Sequence, residues 1–378
     1  MTVAGLIFSN IHDASLPELT ARRTMASVPF GCRYRLIDFP LSNMVNSGIS
    51  KIGIVAHNNY QSLMDHIGTG KDWDLARRSG GIKILPPFIT SYDNSVANRL
   101  YTTRLEALIG VTNFISKCTE DYIVFSDCDV ICNIDLSKVI EQHERTGADI
   151  TIVTGNFEHT EKFRSEDVYV VKSDNNGVIT DVSAITADDS GKLEISTNIM
   201  VLNRIYLLGL INEAAARGHV NFYRDIISKV VKKNNVYSYH FDGFFLKITS
   251  LESYFASSMQ LLEEETRNAL IDVEDRPIHT KVRNSAPTLY KQGCIVKNSY
   301  VADGCEIDGV VENSIVFRGV KIGKGTVVKN SILLQDTFVG DNVNLNCVVA
   351  DKDVVVKDGR NLSGHSTMPF FISKGTIV

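Results

Sequence analysis

Apolar residues fall along this chain in two rhythms. Up to residue 271 they come as short runs separated by stretches of helical period, and beyond residue 290 they recur every six positions. Val3 to Phe8 reads as a buried first strand ending in Ser9-Asn10. A helical stretch from Leu41 to Ser47 stops at Gly48 and leads into a second strand, Ile52 to Ala56. Tyr122 to Phe125 is a third strand, followed by the acidic turn Ser126-Asp127-Cys128-Asp129. Leu136 to Arg145 reads as a helix with Gly147 at its C-cap position, and Asp149 to Thr154 as the strand after it. Strands alternating with helices predict an α/β domain with a largely parallel sheet. Right-handed crossovers then bring the loop after Phe8 and the turn after Phe125 to the same carboxyl edge, where such sheets bind ligands.

From Tyr169 to Met200 the runs shorten. V-Y-V-V (168–171), Val178-Ile179 and I-M-V-L (199–202) are separated by D-N-N-G and D-D-S-G-K turns, which predicts hairpins. Helices are expected again at Arg204 to Arg217, Arg224 to Lys232 and Leu251 to Leu262. Residues 1–271 therefore form one α/β domain, and 272–290, with Pro277 and Pro287, read as a linker. Residues 291–378 carry the second rhythm. V-K-N-S-Y (296–300), V-E-N-S-I (311–315) and V-K-N-S-I (328–332) are copies of one phrase. Between them apolar residues recur every six: Ile295, Val301, Ile307; Val316, Ile322, Val328; Leu333, Val339, Leu345. Gly304, Gly319, Gly325 and Gly340 fall in the turns. This is the signature of a parallel β-helix of hexapeptides, in which each short strand buries one aliphatic residue in a prism.

Composition narrows the function classes. A chain of 378 residues accommodates two substantial cores, and 44% apolar with 22% charged residues is ordinary for a globular protein. A net charge of -5 argues against nucleic-acid binding, which needs a basic surface. The seven cysteines lack framework spacing, and Cys128 and Cys132 have no accompanying His or Cys cluster that would make a zinc site. Reduced thiols of a cytoplasmic protein are the expectation. The N-terminus has no basic region before its apolar run, and no apolar stretch reaches the ~18 residues of a membrane span.

The candidate chemistry centres on Val28 to Asn43, V-P-F-G-C-R-Y-R-L-I-D-F-P-L-S-N, a packed junction between a nucleotide-binding loop and a helix. With N-S-G-I (46–49) and the order of domains, this stretch resembles the glucose-1-phosphate adenylyltransferase (ADP-glucose pyrophosphorylase) family over essentially the whole chain. It looks closest to that family's non-catalytic, GlgD-type regulatory subunit. The resemblance implies a Rossmann-like nucleotidyltransferase domain followed by a left-handed parallel β-helix of hexapeptide repeats. The family reaction joins ATP and glucose 1-phosphate into ADP-glucose and pyrophosphate. Positioning, cations and Mg²⁺ matter more to such chemistry than acid–base groups do.

The parts this reaction needs are altered at four places. The family's G-G-x-G-x-R-L phosphate loop aligns with Asn10-Ile11-His12-Asp13-Ala14-Ser15-Leu16, which has no glycine, puts Ser15 at the arginine position and adds Asp13. The family lysine before V-P-F is replaced by Met25, leaving Arg22 or Arg23 as the nearest cations. Of the two metal aspartates, Asp129 is kept (Asp127 under a shifted alignment), while the other position holds Lys247. A lone aspartate holds Mg²⁺ weakly, and Lys247 is placed to pair with Asp129 instead. The sugar-phosphate site keeps only Ser196 of its S-M-G phrase and has no E-K-P phrase.

These losses lead to a pseudoenzyme-like regulatory subunit with no confident catalytic residue, no metal and no cofactor of its own. Mg²⁺ is then expected only for a catalytic glucose-1-phosphate adenylyltransferase partner, with which the chain would form a heterotetramer. A phosphorylated-sugar effector between the domains would draw on Arg33, Arg35 or Lys51. A weakly active enzyme using Asp129 and substitute cations is the alternative. A hexapeptide acyltransferase is disfavoured, because His279 and His365 flank the repeats.

Overall fold

A computed structural model describes residues 2–77, 80–86, 101–159, 168–186, 189, 191–233 and 235–378. Four parallel strands form the centre of the first domain: β1 (Val3–Phe8), β2 (Lys51–Val55), β3 (Gly81–Leu85) and β4 (Tyr122–Asp127), in the order β3-β2-β1-β4. Every residue of β1 from Ala4 to Phe8 is buried, which explains its unbroken apolar run. Gly5 sits where helix α1 (Asp38–Asn46) crosses: a Cβ there would lie 2.4 Å from the Met44 sulfur.

Beyond β4 the sheet becomes mixed, with mostly antiparallel pairs. The strands there are β5 (Val130–Cys132), β6 (Ile150–His159), β7 (Tyr169–Ser173), β8 (Ile179–Ala184), β9 (Gly191–Asn203), β10 (Val236–His240) and β11 (Phe245–Lys247). One end of β9 pairs with β4, its whole length runs along β6, and Ile195 opposes Val170 of β7. β5 and β11 form a separate ribbon with Val130 opposite Lys247. The expected hairpins are thus edges of one sheet that has nine strands among the described residues. The D-D-S-G-K turn falls partly on residues 188 and 190, outside the described residues.

Two helix boundaries differ from expectation for local reasons. α1 begins at Asp38, ahead of Leu41, because the Asp38 carboxylate accepts the Arg35 N–H and Pro40 lies in the first turn, where no N–H is needed. The segment expected as one helix from Arg224 starts at Phe222 as a wide turn through Ile227. There the Asn221 side chain accepts the Arg224 N–H, and Asp225 accepts from Val220 and Asn221. Among the described residues no helix is long and apolar enough to cross a membrane.

The second domain is a left-handed parallel β-helix with three ladders of five short parallel strands. The repeated N-S phrase builds one corner of the prism. Asn298, Asn313 and Asn330 adopt φ of 40°, 46° and 46°, a left-handed turn that asparagine tolerates well. The side-chain amide of Asn298 donates to Asn313, and that of Asn330 to Asn346. Ser299, Ser314 and Ser331 each donate to the carbonyl two residues back and accept the backbone N–H of the next coil. The six-residue rhythm holds from Val301 onward, but Ile295 is 46% exposed. The first coil is shifted by one position there, since Val296 opposes the buried Val311. The ladder also starts earlier than residue 291, with Leu289–Tyr290 paired to Glu306–Ile307.

The two domains share a core. One ladder turns Ile315, Phe317, Ile332, Leu334 and Val349 outward into the cluster that holds Phe30, Leu36 and Phe39. Arg23 closes the seam with two hydrogen bonds to Asp351, at 2.9 and 2.7 Å, and both side chains are buried. Residues 272–288 lie against α1, where Asn46 donates to the Pro277 carbonyl and Ser42 accepts from His279 N–H.

Removing one partner of a buried ion pair leaves the other charge uncompensated. Arg23→Ala or Asp351→Ala should each lower unfolding free energy by about 3–5 kcal/mol in urea titrations. A paired Arg23→Met/Asp351→Leu replacement should cost clearly less than either.

Candidate functional site

The Val28–Asn43 stretch positions the site through hydrogen bonds as well as packing. Asn43 donates to the Cys132 carbonyl at 3.0 Å and accepts the Ile134 N–H at 3.2 Å, which fixes β5 against α1. Asp38 lies 2.6 Å from His66 Nε2 and anchors the helix start. With β5 fixed, the turn Asp127-Cys128-Asp129 is held at the carboxyl edge of β1 and β4, as the crossover rule predicts.

Both carboxylates of that turn are buried and surrounded by cations. Lys247 Nζ lies 2.6 Å from Asp129 Oδ2, placed there by the Val130–Lys247 pairing of the ribbon. Arg104, at the start of the helix Arg104–Gly110, donates to Asp127 Oδ2. His12 Nε2 lies 2.6 Å from Asp127 Oδ2 and 3.5 Å from Asp129 Oδ2. Burial alone would raise the Asp129 pKa, but His12 and then Lys247 outweigh it and hold the carboxyl below its ordinary value.

Ser196, which the resemblance ties to a sugar-phosphate site, joins the same network. Ser196 Oγ is 2.6 Å from the Tyr223 hydroxyl, which donates to Asn198 Oδ1 at 3.1 Å. Tyr223 stacks on Tyr169 with ring centroids 3.8 Å apart, and Arg104 sits over its other neighbourhood at 5.6 Å from the ring centroid. Burial pushes the Tyr223 hydroxyl up to about 12 against the pull of Arg104, so it remains a neutral donor. Contacts therefore run without a break from Ser196 through Tyr223, Arg104, Asp127, His12 and Asp129 to Lys247.

The other candidates lie apart from this network. Ser15 ends the short turn Asp13–Ser15 and Met25 is a core side chain. Asp13 turns back to accept the Met25 N–H at 2.6 Å, and burial raises its pKa to about 7. Within this loop it is His12, not Asp13, that reaches the aspartates. Arg23 is committed to Asp351 and Arg22 is exposed, so neither replaces the missing lysine. Of the cations considered for an effector, Arg33 is exposed and Arg35 is buried and donates to Ser62. Lys51 pairs with Glu120 at the opposite edge of the sheet from the aspartates. His365 is exposed and bonds Thr367 within its own loop. Sequence reasoning missed the roles of His12 and Arg104. For Arg104 a signal existed, since Thr103 and Glu106 form a capping box.

The fold's implied ion, Mg²⁺, does not fit this arrangement. Two carboxylates already face two permanent cations, and an imidazole nitrogen replaces one of the oxygen donors that Mg²⁺ prefers.

Comparison with known proteins agrees with this architecture. Residues 15–264 match the nucleotidyl transferase family model, and residues 286–368 match that of the GlmU-like C-terminal hexapeptide. The chain is 32% identical over 375 residues to the glycogen biosynthesis protein GlgD of Bacillus subtilis (strain 168), covering 99% of this chain and 96% of that one. It is 34% identical over 373 residues to the GlgD protein of Geobacillus stearothermophilus, with the same 99% and 96% coverage. A glucose-1-phosphate adenylyltransferase of Fervidobacterium nodosum is 30% identical over 364 residues, covering 96% of this chain and 86% of that one.

The raised pKa of Asp13 has a consequence for stability. The folded state holds a proton there that the unfolded chain, near 3.8, gives up earlier. That contribution is complete below about pH 4 and is lost as pH rises to about 7. Asp13→Asn keeps an acceptor for Met25 N–H and should flatten this slope in urea midpoints measured across that range, leaving the variant more stable than wild type at pH 8.

Proposed function

The chain belongs to the nucleotidyl transferase family, together with GlgD glycogen biosynthesis proteins and glucose-1-phosphate adenylyltransferases, and we propose that it serves glycogen biosynthesis as a regulatory subunit that makes no ADP-glucose itself. The observation that carries this reading is the Lys247–Asp129 pair. An ammonium group occupies a carboxylate oxygen that an active relative would offer to Mg²⁺, and Lys247 itself stands where the resemblance expects the second metal aspartate. The phosphate loop supports the same reading. His12 is drawn onto the aspartates, and no glycine remains to bring backbone N–H groups close to a triphosphate.

What the fold retains is consistent with a role in assembly. The Arg23–Asp351 seam and the shared core hold the β-helix against the first domain through protein contacts. In this reading the chain pairs with a catalytic glucose-1-phosphate adenylyltransferase subunit in a heterotetramer and changes that subunit's rate or its response to a phosphorylated sugar. Mg²⁺ belongs to the partner's site.

The test is direct. The purified chain, given ATP, glucose 1-phosphate and Mg²⁺, should form no ADP-glucose above background. Mixed with a catalytic subunit, it should co-elute at the mass of a heterotetramer and shift that subunit's kcat or effector response. Turnover by the chain alone within about a hundredfold of an active relative, about 2.7 kcal/mol of barrier, would refute the reading.

A further inference from the structure

We propose that Lys247 closes a latent transition-metal site whose donors are His12 Nε2, Asp127 Oδ2 and Asp129 Oδ2. The inference rests on the reading that this chain has no working Mg²⁺ site. It adds that the exclusion resides in one side chain, and that the donor set left behind is of a different chemical kind.

The three donor atoms already lie within 4.8 Å of one another, with His12 Nε2 2.6 Å from Asp127 Oδ2 and 3.5 Å from Asp129 Oδ2. Ligands around an ion at ordinary bond lengths sit roughly 3–3.4 Å apart, so small movements suffice. The donors are carried by rigid elements, the end of β4, the turn after it and the loop after β1, and all three residues are buried. Asp127 Oδ1 and Asp129 Oδ1 are also buried and have no partner among the described residues, leaving each carboxylate a further oxygen for coordination. The obstacle is specific. Lys247 Nζ, fully buried, sits 2.6 Å from Asp129 Oδ2, the atom an ion would need.

Charge balance gives the same answer. With Lys247 and Arg104 present the two carboxylates are neutralised, and a divalent ion would add two uncompensated charges in a buried setting. Without Lys247 the cluster carries one excess negative charge, and a divalent ion then leaves one uncompensated positive charge instead of two. The imidazole donor favours Mn²⁺, Co²⁺ or Zn²⁺ over Mg²⁺. Mn²⁺ is the better probe, because seven free cysteines would compete for Zn²⁺.

The experiment titrates Mn²⁺ into the full chain and its variants and follows the free ion by electron paramagnetic resonance. Wild type should leave the free-ion signal unchanged. Lys247→Ala and Lys247→Gln should each take up a single ion about a hundredfold or more tightly than wild type. Adding His12→Ala to either should weaken that binding by about tenfold or more. Far-UV circular dichroism and thermal melts establish folding, and Lys247→Gln, which can still hydrogen-bond Asp129, carries the test if the alanine variant does not fold. Wild-type affinity within about tenfold of the variants would overturn the proposal. So would folded variants that gain no affinity, or binding that ignores His12. The readout uses neither turnover nor a partner subunit, so failure here is separable from failure of the regulatory reading.

Discussion

Two carboxylates placed side by side in a dry interior require compensating charge, and this constraint organises the first domain. Asp127 ends the strand at the centre of the sheet and Asp129 follows in the turn; both are buried, and burial alone would push the proton affinity of Asp129 upward. Arg104, His12 and Lys247 arrive from three different elements to supply that compensation. The helix beginning at Arg104, the loop after β1 and the ribbon of β5 and β11 are thereby tied to one point. Protein charges fill it.

The interface between the domains obeys the same logic at a second place. Arg23 lies just upstream of V-P-F and reaches Asp351 in the β-helix, where the pair is shielded from water. The charge is again internal, and apolar side chains surround it on both sides. Most of the stabilisation across this seam must come from the aliphatic contact, because a buried ion pair by itself is close to neutral in net free energy. The ion pair instead satisfies two charges that the seam buries.

Much of the architecture could be read from the chain, and the reasons differ by region. β1 and the helix at 204–217 were legible because their apolar runs and glycine caps are local signals. The β-helix was legible because Val316, Ile322 and Val328 repeat a phase that only stacked coils require. β3, β10 and the helix at 104–110 were not read: G-I-K-I-L is an edge strand of mixed exposure, and V-Y-S-Y-H alternates too briefly to stand out. In the site, the pairing of Lys247 with Asp129 was accessible because the resemblance put a cation where it led one to expect a second carboxylate. His12 and Arg104 were not: nothing local marks His12, and the capping box of Thr103 and Glu106 marks only the helix that carries Arg104, whose partner Asp127 lies 23 residues away. Ile295 misled because periodicity cannot reveal a one-residue slip at the start of a stack.

The outward side chains Ile315, Ile332 and Val349 carry a geometric implication for larger assemblies. A triangular prism has three walls, and the first domain has already consumed the wall that these residues line. On the β-helix a neighbouring polypeptide is therefore left the remaining two walls, so the number of ways in which partners can be arranged around this shaft is small.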